Sequence, residues 1–203
     1  MSLVRAQLGE PFIEKIMIDI REYFGVPILK VDFEGETLNL IQDEISKVIP
    51  EVKKLNLDNP WGDTVHTTFK YRKRNRDIET FKLDNLKTEI FKLTGMMYPY
   101  YNFTLSESWF NFSYKNNFQF DHTHGTEKLS GVYYYQTNGQ DGDIKFTTPN
   151  IYEKLRLGLS RGTETVSGQP KVGRLLIFPG YLEHRVEPNL TDSERISLTF
   201  NLD

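Results

Sequence analysis

The sequence predicts a mainly β protein whose helices lie in its first half. Aromatic residues make up 13% of the chain, with 14 Phe and 11 Tyr, and such residues favour strands. From Tyr98 onward, short runs rich in Tyr, Phe, Val, Ile and Thr alternate with Gly, Asn, Asp and Pro. Helical periodicity is found before that point. Helices first and strands afterwards predict an antiparallel sandwich or barrel backed by N-terminal helices.

Length, charge and cysteine content narrow the class of protein. A chain of 203 residues can bury a sizeable core, and we expect a single domain over residues 1–203. The net charge of -3 gives no overall attraction to nucleic acid. The absence of cysteine excludes disulfides and thiolate metal sites and is compatible with a reducing compartment. Because the sequence shows no signal peptide and no membrane-spanning apolar run, we expect a soluble cytoplasmic protein.

The first elements follow from apolar spacing. Apolar residues at helical spacing predict a short docked helix within residues 1–20. Residues 27–33 read as a strand, because their apolar residues alternate. A helix is predicted over residues 37–49, and Pro50 should end it because proline interrupts helical hydrogen bonding.

Later elements follow from the same signals. Residues 51–76 look irregular and polar, and a second helix is predicted over residues 78–93 with Gly95 closing it. Strands are then predicted at residues 102–113, 118–124, 129–136, 143–147, 174–178, 183–187 and 194–202. Turns are expected at residues 139–142, 158–168 and 179–180.

Three of the four histidines fall in the strand-rich half. His122 and His124 are two apart on one predicted strand, so their side chains should share a face, and His184 begins a distant strand. Imidazoles that converge from two strands at a barrel mouth suit iron, zinc, copper or nickel. The alternative is a surface pair or a hydrogen-bonded structural pair. The fourth histidine, His66, lies in a polar stretch and is expected to be solvated or to serve as a capping residue.

The last predicted strand carries a second signal, eleven residues after His184. It begins at Arg195, and polar residues alternate with apolar ones along it, so one face is polar. An inward arginine beside the hydroxyl of Ser197 would bind a carboxylate, because guanidinium pairs with carboxylates in bidentate fashion. The alternative is an arginine on a solvated face that pairs with Glu194 or Asp192.

Together these motifs resemble the 2-oxoglutarate- and Fe(II)-dependent oxygenases, and more narrowly a group encoded by bacteria and their phages. The resemblance rests on Trp109-Phe110-Asn111, His122-Thr123-His124, Ser130-Gly131-Val132-Tyr133-Tyr134, Phe178-Pro179, His184, Glu194-Arg195-Ile196-Ser197 and Asn201. It covers residues 98–203 well. It covers the first half only through a strand and helix near residues 27–49.

The resemblance implies a double-stranded β-helix, a cupin-like jelly-roll barrel, with residues 1–97 as helical and mixed support and residues 98–203 as the barrel core that carries the site. It assigns His122 and His184 as iron ligands. The position two after the first histidine normally supplies a carboxylate, and here it is His124. We expect all three histidines to bind the metal. If His124 does not, a nearby carboxylate would have to replace it: Asp121, Asp143 or Glu183.

The resemblance also assigns the cosubstrate site. Arg195 and Ser197 match the residues that hold the distal carboxylate of 2-oxoglutarate. Tyr133 or Tyr135 is expected to donate a phenolic hydrogen bond to the same ligand, and Asn111 to bind its keto-acid end. Core packing is the alternative for the tyrosines, because that strand is aromatic on both faces.

The implied activity is hydroxylation of an unidentified substrate with O2 and 2-oxoglutarate, releasing succinate and CO2. The Gly-, Thr- and Ser-containing segment 139–168 is expected to include a mobile loop over the barrel mouth. The basic run 70–76 reads as a solvated loop or as a surface for an anionic substrate. Exposed edge strands would allow a homodimer. The alternatives are a three-histidine dioxygenase that uses no 2-oxo acid and a non-catalytic jelly-roll module.

Overall fold

The computed structural model describes residues 17–23, 25–55, 57, 64–69, 76–150 and 165–203. The helices of these residues are α1 (Gly35–Val52), α2 (Asp77–Thr80) and α3 (Asp84–Met97). The strands are β1 (Met17–Tyr23), β2 (Val26–Asp32), β3 (His66–Thr67), β4 (Leu105–Ser113), β5 (Gln119–His122), β6 (Leu129–Gln136), β7 (Ile144–Thr147), β8 (Thr165–Gly168), β9 (Arg174–Pro179), β10 (His184–Val186) and β11 (Arg195–Leu202). Among them, no helix is both long enough and apolar enough to cross a bilayer.

The strands form two antiparallel sheets. The larger has the order β1-β2-β9-β6-β11-β4-β3 and the smaller the order β5-β10-β7-β8. One core lies between the helices and the larger sheet, where Ile41 and Ile90 meet residues such as Leu198. A second core joins the two sheets, with Phe146 of β7 and Phe178 of β9 among its members. The mainly β class with helices on one side is therefore confirmed.

The N-terminal prediction needs correction. Ile20 lies in β1, not in a helix, and residues 1–16 fall outside the described part of the chain. β1 pairs with β2 in unbroken antiparallel register, from Met17 opposite Asp32 to Tyr23 opposite Val26. Such ladder hydrogen bonds outweigh helical apolar spacing, which is only a weak local preference.

Pro50 does not end α1, which runs on to Val52. Proline lacks only its own N–H, and the residues beyond it still donate: the backbone N–H of Lys53 bonds to the carbonyl of Ile49 at 2.9 Å. The prediction that the helix ends at residue 49 is therefore wrong by one turn.

The predicted helix over residues 78–93 is two helices. The chain between α2 and α3 includes Lys82 in the left-handed region (φ 53°), which breaks the helical path. Gly95 does not close α3 but lies within it, because its backbone is not left-handed. The amide of Tyr98 still bonds to the carbonyl of Thr94 at 2.8 Å.

The predicted strands all have counterparts, with two differences. β5 ends at His122, so the predicted strand 118–124 is too long. β8 falls inside the predicted turn 158–168, and residues 151–164 lie outside the described residues. Residues 151–164 of the segment predicted to include a mobile loop, and most of the basic run 70–76, lie outside the described residues, so both remain predictions.

Candidate metal centre

Three imidazoles meet at one end of the smaller sheet. His122 is the last residue of β5 and pairs directly with His184, the first residue of β10. Their ring centroids are 4.3 Å apart, and the ring of His124 lies 5.5 Å from His122 and 5.2 Å from His184. One ligand nitrogen from each lies within 4.8 Å of the other two. Three imidazoles at this spacing are able to bind one metal ion.

A bulge in β5 orients two of its side chains toward the site. Gln119 pairs with Val186 and His122 pairs with His184, so two residues of β5 face one residue of β10. A bulge of this kind shifts the alternation of side chains by one position. As a result Gln119 and His122 both line the same cavity although they are three residues apart.

His124 reaches the site by a different route from the predicted one. It lies beyond the end of β5, so a shared strand face does not bring it beside His122. Its backbone N–H bonds to the carbonyl of Gly180 at 2.8 Å. Its ring contacts the larger sheet through Asn201 of β11 (2.6 Å) and Ser130 of β6 (2.9 Å). His124 therefore links the two sheets.

The same ring nitrogen is engaged in all three histidines. The Nδ1 atoms of His122 and His184 each lie 2.7–2.8 Å from the carbonyl oxygen two residues earlier in the chain, and such an oxygen accepts only. The Nδ1 of His124 donates to the side-chain oxygen of Asn201. A proton on each Nδ1 leaves each Nε2 lone pair for a metal, as outer hydrogen bonds do in metal sites.

Burial keeps two of these rings neutral. Burial lowers the pKa of His124 to about 4, with a smaller opposing effect from Asn201. For His184 burial is again the largest cause and lowers its pKa well below the usual value, assisted by the charges of His122 and His124. Neutral imidazole is the form that binds metal, so these rings are in the ligand form at physiological pH.

The histidines open into a cavity between the sheets that encloses about 460 Å³ of space, part of it open solvent. Its described lining contains no aspartate and no glutamate. The lining consists of Trp109, Asn111, Gln119, His122, His124, Gly131, Val132, Tyr134, Ile144, Phe178, His184, Val186, Arg195, Ser197 and Thr199. It therefore combines an apolar wall with neutral polar groups and one cation.

That cation, Arg195, is buried, with 3% of its surface exposed. Its Nη1 donates to the backbone carbonyls of Asp141 and Gly142, each at 2.7 Å. The predicted alternative partners are engaged elsewhere: Asp192 pairs with a lysine at 2.8 Å and Glu194 with another at 2.6 Å. Burial lowers the pKa of Arg195, and the opposing electrostatic effects of Tyr134, Asp141 and Asp143 only partly compensate for the lost hydration. Among the described side chains, no carboxylate forms an ion pair with this guanidinium.

Neutral polar groups line the cavity between Arg195 and the histidines. Ser197 and Thr199 share the face of β11 that Arg195 occupies. The side-chain nitrogen of Asn111 donates to Thr199 at 2.9 Å, and its oxygen has no hydrogen-bond partner in the structure. The indole N–H of Trp109 is also buried without a partner, and its ring stacks on His124 at 5.7 Å. Unpaired buried polar atoms are rare, and here they lie in a cavity able to hold a polar ligand.

Two predicted tyrosines do not reach the cavity. Tyr133 is fully buried in the helix-side core, where its hydroxyl accepts a hydrogen bond from Gln42 at 3.2 Å, and Tyr135 packs on the same side. Tyr134 points the other way and lines the cavity. Side chains alternate along β6, and its aromatic residues gave no indication of which face was which. Burial raises the pKa of Tyr134 to about 12, so its phenol keeps its proton.

The alternative carboxylates do not join the histidine cluster. Among the described histidines and acids, the group able to share a metal consists of His122, His124 and His184. Asp121 points to the surface and pairs with Arg185 at 3.4 Å, and Asp143 lies 3.6 Å from Lys145. Glu183 is likewise absent from the cluster. His66 is exposed and packs edge-on against Tyr114, as its polar surroundings predicted.

Trp109, Gln119, Tyr134 and Thr199 were missed as lining residues. Trp109 and Thr199 could have been found by alternation, since each lies two positions from a predicted site residue on the same strand. Gln119 could not, because its orientation depends on the β5 bulge.

Two antiparallel sheets that enclose three histidines and a buried arginine define a jelly-roll-like protein with a candidate metal centre. Residues 107–201 match a family model described as "Putative 2OG-Fe(II) oxygenase". This segment contains the three histidines and Arg195, and the match shows that it is similar to that family. No curated protein matches the sequence.

Solved structures share the fold at low identity. HygX from Streptomyces hygroscopicus, crystallised with nickel and 2-oxoglutarate, aligns with a TM-score of 0.58 and 13% identity over 86% of this chain and 82% of its own. A prolyl-4-hydroxylase from Pseudomonas putida aligns with a TM-score of 0.54 and 16% identity over 86% and 91%. The epimerase SnoN from nogalamycin biosynthesis gives 0.61 and 11% over 87% and 77%. These proteins have diverse activities, so the likeness defines the fold and not the substrate.

Proposed function

We propose that this protein is an Fe(II)- and 2-oxoglutarate-dependent oxygenase whose iron is held by His122, His124 and His184. The observation that carries the proposal is the cavity itself, with three imidazoles and the buried Arg195 in its wall. The donor set fits the metal, because each imidazole has its Nδ1 engaged and its Nε2 lone pair available. The family match supports the same cosubstrate.

Arg195 would bind the distal carboxylate of 2-oxoglutarate. The two N–H groups of Nη1 satisfy backbone carbonyls, which leaves Nε and Nη2 for a bidentate contact. Ser197 and Tyr134 lie in the same wall and supply hydroxyl donors, so Tyr134 takes the role that we predicted for Tyr133 or Tyr135. Asn111 would contact the keto-acid end of the ligand.

Fe(II) bound with 2-oxoglutarate would supply oxygen activation: one oxygen atom enters the cosubstrate, which leaves as succinate and CO2, and the other converts a substrate C–H bond to C–OH. The chain's own residues orient both ligands and limit water. Val132, Ile144 and Phe178 form an apolar wall beside the polar groups. Such a wall strengthens the electrostatic contacts made inside the cavity and protects the reaction from solvent.

We also infer that the two sheets form the double-stranded β-helix of a jelly-roll barrel, and that residues 1–203 act as one cytoplasmic domain in which residues 1–97 support the core at 98–203. Helices α1 and α3 pack on the larger sheet through one continuous apolar cluster, which supports a shared domain. Among the described strands, β5 lies at an edge of the smaller sheet, and this edge would permit pairing in a homodimer.

Anaerobic titration with Fe(II), with and without 2-oxoglutarate, tests the proposal. A visible charge-transfer band should appear only when both are present, and admission of O2 should release succinate. His122→Ala should abolish the band. His66→Ala is the matched control, because this histidine is exposed and outside the cavity, and it should keep the band. Absence of the band in folded wild-type protein would refute the proposal.

A second candidate is a three-histidine dioxygenase that uses no 2-oxo acid, and the all-histidine donor set favours it. Arg195 separates the two. Its replacement by methionine should abolish 2-oxoglutarate binding if the first proposal holds. An oxygenase that takes up O2 without 2-oxoglutarate and keeps its rate in Arg195→Met would instead support the second.

A further inference from the structure

The cavity has an excess of positive charge once a metal is bound. The three candidate ligands are neutral imidazoles, and the described lining contains no carboxylate. Arg195 adds a buried cation whose hydrogen-bond acceptors are uncharged backbone carbonyls. A divalent ion and a guanidinium would therefore share a partly dehydrated space without a protein anion among the described lining residues. Concentrated charge of one sign in such a space is costly.

The nearest carboxylates lie outside the histidine cluster and the described cavity lining. Asp121 faces the surface in an ion pair with Arg185, and the carboxylate of Asp143 lies beside Lys145. The carboxylate of Asp141 accepts hydrogen bonds from Thr137 at 2.7 Å. Its charge partly compensates that of Arg195, but it is not part of the histidine cluster. Among the described residues, no carboxylate therefore joins the histidines at the metal position, and the negative charge there must come from a ligand.

We propose that the metal and a 2-oxo dicarboxylate bind this protein with strong positive cooperativity, because the dicarboxylate supplies the negative charge that His124 does not. This inference rests on the proposed function and adds the energetic coupling between its two ligands. The protein alone should bind the divalent metal weakly. The dianion cancels two of the three positive charges, one carboxylate acting at the metal and the other at Arg195.

The same arrangement determines which anions support metal binding. A ligand must reach both charges, so a 2-oxo acid without the distal carboxylate, such as pyruvate, should strengthen metal binding less than 2-oxoglutarate. Loss of the distal contact leaves Arg195 buried without an anionic partner. The chain length of the acid, and not only its chelating end, therefore controls metal retention.

Equilibrium binding of Co(II) under anaerobic conditions tests the inference without turnover. For the wild type, we expect saturating 2-oxoglutarate to tighten Co(II) binding by about tenfold or more, with a smaller effect from pyruvate. Because the coupling is reciprocal, Co(II) should tighten 2-oxoglutarate binding by the same factor. Calorimetry measures both directions.

His124→Asp is the decisive variant, because it places a carboxylate among the ligands. It should bind Co(II) more tightly than the wild type when 2-oxoglutarate is absent, and the added effect of 2-oxoglutarate should fall. His66→Asp introduces the same charge on an exposed residue outside the cavity and should leave both values unchanged. Circular dichroism and thermal melting establish that the variants fold.

Each outcome has a separate meaning. If the wild type binds Co(II) and 2-oxoglutarate independently, the cooperativity is refuted while the proposed function stands. If it binds neither, the proposed function itself fails. If His124→Asp does not fold, the wild-type comparison of 2-oxoglutarate with pyruvate decides: equal effects of the two acids overturn the inference, and a larger effect of 2-oxoglutarate supports it.

Discussion

Replacement of Arg195 by methionine tests the anion-binding end of the cavity. Methionine keeps an unbranched apolar stem of similar path and removes the guanidinium. In the parent protein this group is 3% exposed, and its Nη1 is used by the carbonyls of Asp141 and Gly142. The variant therefore loses the charge and the fork that would face a carboxylate, with little change in the apolar part of the wall.

The size of the effect follows from burial. Removal of one partner of a buried, hydrogen-bonded charge pair costs about 2–5 kcal/mol of binding free energy. At about 1.4 kcal/mol per tenfold, 2-oxoglutarate should bind roughly 30- to 4,000-fold more weakly. Folding stability should change less, because the two carbonyls lose their donor while an unpaired buried charge is also removed.

Calorimetric titration of 2-oxoglutarate into protein with excess Co(II), without oxygen, measures the loss. Arg76→Met is the matched control, since Arg76 is exposed and pairs with Glu79 at 3.1 Å outside the cavity. A folded Arg195→Met protein that binds 2-oxoglutarate within about threefold of the parent would refute the reasoning, because removal of one partner of a buried charge pair should cost more than this.

Three further predictions concern other parts of the fold. Tyr134→Phe should weaken 2-oxoglutarate binding by about 2- to 12-fold in the same titration, the worth of one hydrogen bond, whereas Tyr133→Phe should leave it unchanged. Gly131→Ala should lower the free energy of unfolding by about 1–3 kcal/mol in urea denaturation, because a Cβ there would lie 2.8 Å from a backbone oxygen of β9. Partial burial acts to raise the pKa of Asp32, but hydrogen bonds and charges from Arg174 and Lys171 lower this pKa overall. The ionised Asp32 carboxylate therefore stabilises the fold above the usual Asp pKa of 3.8. This stabilisation is lost as the pH falls through the lower pKa of the folded protein. Asp32→Asn should cost about 1 kcal/mol at pH 7 and less near pH 3, and parallel stability curves for the two proteins would contradict this.

Most strand positions could be read from sequence, because alternation identifies a face wherever that face is buried. β11 shows this well: Ile196, Leu198 and Phe200 enter the helix-side core, while Arg195 and Ser197 enter the cavity. Helix ends were less predictable. Pro50 and Gly95 are common stop signals, but the backbone conformation at those positions depends on tertiary packing, which no local pattern contains.

The candidate site shows the same division. The spacing of His122 and His124 drew attention to the correct residues for an incomplete reason, since β5 ends between them and a contact with Gly180 positions the second. Tyr134 was missed in favour of Tyr133, because a strand with aromatic residues on both faces has no hydrophobic asymmetry. Bulges and strand ends decide these details, and they arise from long-range pairing.

The position of His124 between the layers has a mechanical consequence. His122 and His184 belong to the smaller sheet, while the ring of His124 is tied to Asn201 and Ser130 of the larger one. A metal ion bound by all three rings would cross-link the two sheets. Metal binding would then slow amide hydrogen exchange in strands of both sheets. The end of the two sheets that holds the metal would unfold last.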